Sequence, residues 1–150
     1  MARLRPLLAV LLLGAALAAG CGGGFADSYQ PIDRELHGVG LDLVRALQGA
    51  KNQTNMQFAA TIRGLEHRIL VVRGKLKRIG PPPDDVRKQY RALQADLRKV
   101  DDDMIDLAAR VAVNDVVHTK SAARKLIADA RAVTPQVEAI RRKLDLPAPK

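Results

Sequence analysis

The spacing of apolar residues constrains this chain most. From Ile32 to Leu144 they recur every three or four positions, which is the repeat of one face of an α-helix. The Gly-Pro-Pro-Pro run at residues 80–83 cuts the pattern near its middle, because proline cannot continue a helix interior. Aromatic residues make up only 3% of the chain and Trp is absent, a composition that favours helices over a sheet. The sequence therefore predicts an all-α protein.

Cap signals divide this pattern into four helices. Thr54, followed three positions later by Gln57, has the sequence of a capping box at a helix start. Asn114 suits a left-handed helix end, and Asp115 can cap the helix that follows. The predicted helices span residues 31–48, 54–79, 84–113 and 115–145.

The later helices carry two further signals. Asp84 or Asp85 can cap the third helix, since a carboxylate at a helix start suits the macrodipole. Pro135 predicts a kink or a short break in the fourth. Short connections make successive helices antiparallel, so we predict an up-down-up-down four-helix bundle. The alternative is a long two-helix antiparallel hairpin, in which each pair of helices on either side of the prolines merges into one rod.

Residues 1–20 have the layout of a secretory signal peptide. Arg3 and Arg5 precede an apolar run over residues 7–17, which is shorter than the roughly 20 residues of a membrane span. Small residues then lead to Cys21, the only cysteine, so a disulfide within the chain is excluded. The predicted parts are a signal peptide (1–20), a modified cysteine and flexible Gly-rich tether (21–30), a helical bundle (31–146) and a tail (147–150).

The segment Ala-Ala-Gly-Cys at residues 18–21 resembles the bacterial lipobox, with Ala18 where the usual pattern has leucine. By this resemblance Cys21 would be thioether-linked to diacylglycerol and would become the new N-terminus. Two or three acyl chains anchor a protein stably, at about 0.8 kcal/mol for each buried CH₂. The resemblance implies export and a lipid anchor on the outer face of the cytoplasmic membrane, or on the outer membrane where there are two.

Charge is the most informative feature of the predicted domain. The chain has 25 Lys and Arg against 16 Asp and Glu. Without Arg3 and Arg5 of the predicted signal, 23 bases remain against 16 acids, a net charge of +7, which suits an anionic partner such as lipid or a cell-wall polymer. Export makes nucleic acid an unsuitable partner. In a four-helix bundle the proline turn and the C-terminus share the lipidated end. We predict contact with an anionic surface by Arg73, Lys75, Lys77, Arg78, Arg87, Lys88, Arg91, Arg141, Arg142 and Lys143.

These basic clusters have a second explanation, which is compatible with the first. Bases late in a helix stabilise it by interacting with the macrodipole, whatever lies beyond the protein. In the two-rod alternative the proline turn would instead be the tip farthest from the lipid.

An acidic run lies in the third predicted helix, at residues 101–103 with Asp106. Three consecutive positions spread around most of a helix, so these carboxylates cannot converge on one ion. Calcium loops instead alternate their oxygen ligands around a Gly-containing turn. We predict a solvated acidic face.

The chain has three histidines, His37, His67 and His118. His37 and His67 would lie level across a hairpin that turns near residue 52, but both flank the apolar stripe. We predict surface histidines, with neither a metal nor a cofactor. Gly-rich phosphate loops, nucleophile elbows and haem-attachment motifs are absent from the sequence, so we predict no enzymatic activity.

The lipobox-like segment, the proline turn, Asn114 with Asp115 and the ending Leu-Asp-Leu-Pro at residues 144–147 together resemble small helical lipoproteins of high-GC bacteria. This resemblance implies an architecture and supplies no catalytic residues. We expect a non-enzymatic interaction module, bound to the bilayer through Cys21 and meeting an unidentified envelope protein. The alternative is a carrier that holds haem, a metal or an apolar molecule between its helices.

Overall fold

The computed structural model describes residues 24–149, which fold into four α-helices and no strand. The helices are α1 (Phe25–Gly49), α2 (Asn55–Arg78), α3 (Arg87–Ala112) and α4 (Val116–Lys143), with a 3₁₀ turn at Ala50–Asn52. Each packs on the next in chain order. The predicted four-helix bundle is confirmed, and the two-rod alternative is wrong. The predicted signal peptide and Cys21 lie outside the described residues.

Contacts between distant parts of the chain define the two ends of the bundle. At one end the ring of Phe25 meets that of Tyr90 edge-on, with centroids 5.4 Å apart, and Lys143 donates to the backbone carbonyl of Asp85. At the other end Asn55 Nδ2 donates to Asn114 Oδ1 over 2.9 Å. The start of α1, the proline turn and the end of α4 therefore lie together, and we call this the entry end.

Three of the predicted cap signals are confirmed. Thr54 Oγ1 accepts from the Gln57 backbone N–H at 3.2 Å, and Gln57 Oε1 accepts from the Thr54 N–H at 2.9 Å, a reciprocal capping box. Asn114 adopts a left-handed φ of 56° where α3 ends. Asp115 then caps α4 by accepting from the His118 N–H at 3.2 Å. Local side-chain chemistry therefore sets both boundaries.

The predicted tether is too long, because α1 already begins at Phe25. The Phe25 ring stacks on Tyr29, one turn later, with centroids 5.9 Å apart, and Tyr29 is fully buried. Burying two aromatic rings draws residues 25–30 into the helix. Pro31, expected as the first helical residue, lies within α1 on its exposed side.

The predicted start of α3 is also wrong. The helix begins at Arg87 and neither Asp84 nor Asp85 caps it; the N-cap position belongs to Val86, which makes no side-chain cap hydrogen bond. Val86 is fully buried, and its N–H donates to the Pro83 carbonyl at 3.1 Å within a turn. Burial of an apolar side chain here outweighs the capping bond that an aspartate would supply.

The fourth helix runs from Val116 to Lys143 without the predicted break at Pro135, whose ring is exposed. Its buried apolar side chains are few: Ala122, Leu126, Val137 and Ile140. By contrast α3 buries residues toward both of its neighbours and forms the centre of the bundle. Helix α1 packs closely on α2, and α4 packs closely on α3, but α1 and α4 pack much less on each other. The side of the bundle between α1 and α4 is therefore open.

Candidate functional site

Most of the predicted surface bases are exposed at the entry end. They occupy the last turn of α2, the first turns of α3 and the last turn of α4. The exposed bases are Lys77, Arg78, Arg87, Lys88, Arg91, Arg142 and Lys143. The exposed carboxylates of the same end are Asp27, Asp84, Asp85 and Asp145. Positive charge is therefore in excess at this end.

The other three predicted contact residues are half-buried and bind acids of neighbouring helices. Lys75 Nζ lies 2.5 Å from Glu35 Oε2, which joins α2 to α1. Arg73 pairs with a buried acid of α3, and Arg141 pairs with a buried acid of α1. The prediction that Arg73, Lys75 and Arg141 contact an anionic surface is therefore wrong. If one of these bases turned outward to such a surface, its partner carboxylate would be left unpaired.

The pair between Asp33 and Arg141 joins α1 to α4 at the entry end. Arg141 donates from two nitrogens to both carboxylate oxygens, at 2.9 and 3.1 Å, and Asp33 is only 1% exposed. The hydrogen bond to Asp33 raises the pKa of Arg141. Tyr29 lies one turn before Asp33, and its buried hydroxyl has no hydrogen-bond partner among the described residues. Burial, followed by the charge of Asp33, raises the pKa of Tyr29.

The predicted solvated acidic face is wrong for two of its members. Asp101 and Asp103 are 4% and 5% exposed. Positions i and i+2 project about 200° apart on a helix, so Asp101 reaches Arg73 on α2 while Asp103 reaches Lys125 on α4. Asp102, between them, is exposed. The acidic run therefore ties the central helix to both of its neighbours.

Burial controls the ionisation of these acids. It raises the pKa of Asp101 even though Arg73 opposes that shift. It also raises the pKa of Asp103, which shares Lys125 with Asp129 of α4. One oxygen of Asp101 and one of Asp103 have no hydrogen-bond partner in the part of the chain that the structure describes. Keeping Asp101 and Asp103 ionised in the folded protein therefore costs folding free energy.

The remaining candidates for metal binding do not converge. Asp106 accepts two hydrogen bonds from Arg110 Nε within α3, at 2.8 and 2.9 Å. His37, His67 and His118 are all exposed, as predicted. Between residues 24 and 149, no three His, Cys, Asp or Glu side chains are placed to share a metal ion.

An apolar groove that the sequence reasoning missed runs along the open side, between α1 and α4. Its volume is about 730 Å³, and apolar side chains of both helices form its walls. The walls include Leu36, Leu41, Val44, Leu47, Ala130, Val133 and Val137. Leu41 and Val44 remain 45% and 51% exposed. The polar and charged side chains that also line it are His37, Gln48, Arg131, Thr134, Glu138 and Arg141.

A sequence signal for this groove existed. The apolar repeat of α4 runs through Leu126, Ala130 and Val137, and Ala130 is too small to fill the space beside another helix. On α1 the repeat runs through Leu36, Val39 and Leu43, so Leu41 and Val44 lie off it. Small residues on one helix and surplus apolar residues on another indicate an incomplete contact.

These features define an all-α four-helix bundle with buried ion pairs, a basic entry end and an apolar side groove. No family model matches the chain, and comparison with curated proteins and with solved structures gives no match. Of the helices within residues 24–149, none has the length and apolarity of a membrane span.

Proposed function

We propose that the protein is a non-enzymatic, exported lipoprotein, anchored by acyl chains on Cys21, whose entry end lies on an anionic lipid surface. The observation that supports this proposal is the early start of α1. Only two residues lie between Cys21 and Gly24, and the three Cα-to-Cα steps that join them span at most about 10 Å. The basic entry end is thereby tied close to the point of lipid attachment.

Electrostatic attraction between the bases of the entry end and anionic headgroups is effective at this distance. The Debye length is about 8 Å at physiological ionic strength, so charges within a few ångströms of the headgroups are weakly screened. Each base near an anionic surface contributes about 1 kcal/mol, and the exposed carboxylates of the same end offset part of this. The resulting attraction is modest, and it orients a bundle that the acyl chains already hold. A longer tether would allow the bundle to tumble freely.

Substitution of Cys21 by serine tests the anchor. Cells are labelled with an alkyne analogue of palmitic acid, and the purified protein is probed for the label. We expect the native chain to carry it and Cys21→Ser to lose it completely, because a serine hydroxyl cannot form the thioether. Gly23→Ser, two residues away, should keep the label. An unlabelled native chain, or label retained on Cys21→Ser, would contradict the anchor.

Vesicle sedimentation tests the docking. The chain from Gly22 onward should bind vesicles that contain phosphatidylglycerol and should dissociate as salt rises from about 0.1 to 1 M. Binding to phosphatidylcholine alone should be weak. The variant reverses three exposed bases of the entry end: Lys88→Glu, Arg91→Glu and Arg142→Glu. The matched control reverses three exposed bases elsewhere: Lys51→Glu, Arg63→Glu and Lys120→Glu.

Both variants change the net charge equally, so a difference between them reports position. We expect the entry-end variant to lose at least tenfold in vesicle affinity, since three bases contribute about 1 kcal/mol each. The control should lose much less. Equal losses would contradict oriented docking. If the chain binds isolated cell-wall polymer and does not bind vesicles, the partner of the entry end is that polymer and not a lipid surface.

A second candidate function is carriage of an apolar ligand between the helices. The α1–α4 groove favours it, because the volume of about 730 Å³ falls within the range of small-molecule sites and the walls are largely apolar. This candidate does not depend on Cys21, and both functions can coexist in one molecule.

A further inference from the structure

We infer that the α1–α4 groove binds a free long-chain fatty acid, with its acyl chain along the groove and its carboxylate at Arg131. The inference rests on the carrier candidate and names its ligand class. It is independent of whether Cys21 is acylated.

The shape of the groove suits a single acyl chain. Its α1 wall extends from Leu36 to Gln48, which is twelve helical rises, or about 18 Å. The opposite wall is formed by α4, which runs antiparallel to α1, so the groove follows both helices lengthwise. Ala148 and Pro149, which follow α4, also line it. A ligand that covers Leu41 and Val44 removes apolar area from water, which is the main source of affinity for such a chain. A compact or planar ligand would cover less of this length.

Charge identifies the head of the ligand. Arg131 lines the groove on α4, is exposed, and has no ion-pair or hydrogen-bond partner among residues 24–149. This distinguishes it from Arg141, which also borders the groove but is held by Asp33. A guanidinium without a protein partner beside an apolar channel complements a carboxylate attached to an acyl chain. His37, Thr134 and the exposed acid Glu138 also line the groove. Glu138 lies seven residues beyond Arg131, about 10 Å along α4 toward the entry end, so a carboxylate is favoured at Arg131 and disfavoured at Glu138.

Gly40 provides a direct way to fill the groove. It lines the α1 wall, and a Cβ placed there meets no atom within 4 Å, so a side chain attached at this position starts without a clash and can extend into the groove. Gly64 of α2 is also a helical, exposed glycine with no atom within 4 Å of an added Cβ, and it lies outside this groove. The variants Gly40→Trp and Gly64→Trp are therefore matched in chemistry and differ in location.

Photolabelling of the purified native chain, with lipid nanodiscs present, tests the inference. A diazirine analogue of palmitic acid is added after purification, so that any acyl group on Cys21 carries no label. We expect labelled peptides from both groove walls and competition by unlabelled palmitic acid. Gly40→Trp should reduce labelling at least tenfold, whereas Gly64→Trp should leave it unchanged. Equal labelling of both variants would overturn the inference.

The head group is tested with a diazirine fatty alcohol of the same length. Arg131→Glu should weaken labelling by the acid about tenfold, as expected for loss of a charge-assisted bond, and leave the alcohol unaffected. Arg124→Glu, an exposed base of α4 outside the groove, is the control. If Arg131→Glu affects acid and alcohol alike, the fatty-acid assignment fails while apolar carriage stands.

Two other occupants give distinct results. If the acyl chains of Cys21 fill the groove, the native protein resists labelling and Cys21→Ser becomes labelled. If a second copy covers it, labelling fails in both and sedimentation shows a dimer that Gly40→Trp disrupts. Either result overturns the free fatty acid as the ligand.

Discussion

Replacing Arg141 with methionine is expected to lower the free energy of unfolding by about 3–5 kcal/mol. Arg141 supplies the two hydrogen bonds, at 2.9 and 3.1 Å, that compensate the charge of a carboxylate only 1% exposed. Methionine retains the apolar stem and removes the guanidinium, so Asp33 is left charged and unpaired in the interior. Urea denaturation followed by circular dichroism measures the loss.

Two further variants separate the ion pair from general damage to α4. Arg142→Met changes the exposed base next in the chain and should alter the free energy of unfolding by no more than about 0.5 kcal/mol. Asp33→Leu combined with Arg141→Met replaces both charges by apolar groups and should recover most of the loss. A single Arg141→Met variant as stable as Arg142→Met would show that the pair does not hold α1 to α4.

This ion pair also explains how one side of the bundle can remain open. Asp33 and Arg141 fix the distance between α1 and α4 at the entry end. Beyond them, apolar side chains of the two helices face a space of about 730 Å³ and do not interdigitate. The Asp33–Arg141 pair thus sets the spacing of α1 and α4 at the entry end. Along the rest of this side, apolar packing does not set that spacing.

The helices and some of their ends could be predicted because they depend on local chemistry. Apolar periodicity places each helix, and the reciprocal bonds of Thr54 and Gln57 need only residues three apart. Asn114 similarly needs only a tolerance for positive φ. In each case the sequence within one or two helical turns contains the full physical cause.

Other features depend on residues distant in the chain. Phe25 lies in a helix because Tyr29 and Tyr90 receive its ring, and Tyr90 is on the far side of the proline turn. Asp101 and Asp103 are buried because α3 has neighbours on both sides, which the spacing of its acids does not reveal. The sequence shows on which face of its helix a residue lies. It does not show which other helix packs against that face and buries the residue.

The same limit applies to the candidate site. Lys88 and Arg73 have the same charge and lie near the same turn in sequence, yet Lys88 is exposed while Arg73 binds a buried acid. The difference arises from the rotation of each helix against its neighbour. Charge counting located the basic end of the bundle, and packing decided which of its bases are available to a partner.

Leu126→Ala is expected to cost about 2–5 kcal/mol of unfolding free energy, the usual range for a leucine truncated in a packed core. Leu126 is fully buried, and α4 offers few other large side chains to the core because one of its sides faces the groove. Leu126 therefore supplies a large share of the apolar contact that holds α4 to the core. Thermal and urea denaturation both measure this effect.

Val116→Ala is the informative comparison, since Val116 is also an apolar residue of α4 and begins that helix. In the folded chain Val116 is 72% exposed, so its truncation should change stability by no more than about 0.5 kcal/mol. A large effect at Val116 with a small one at Leu126 would mean that α4 is rotated about its axis from the arrangement described. That rotation would also turn Ala130 and Arg131 away from α1, so the same pair of variants tests the geometry on which the groove depends.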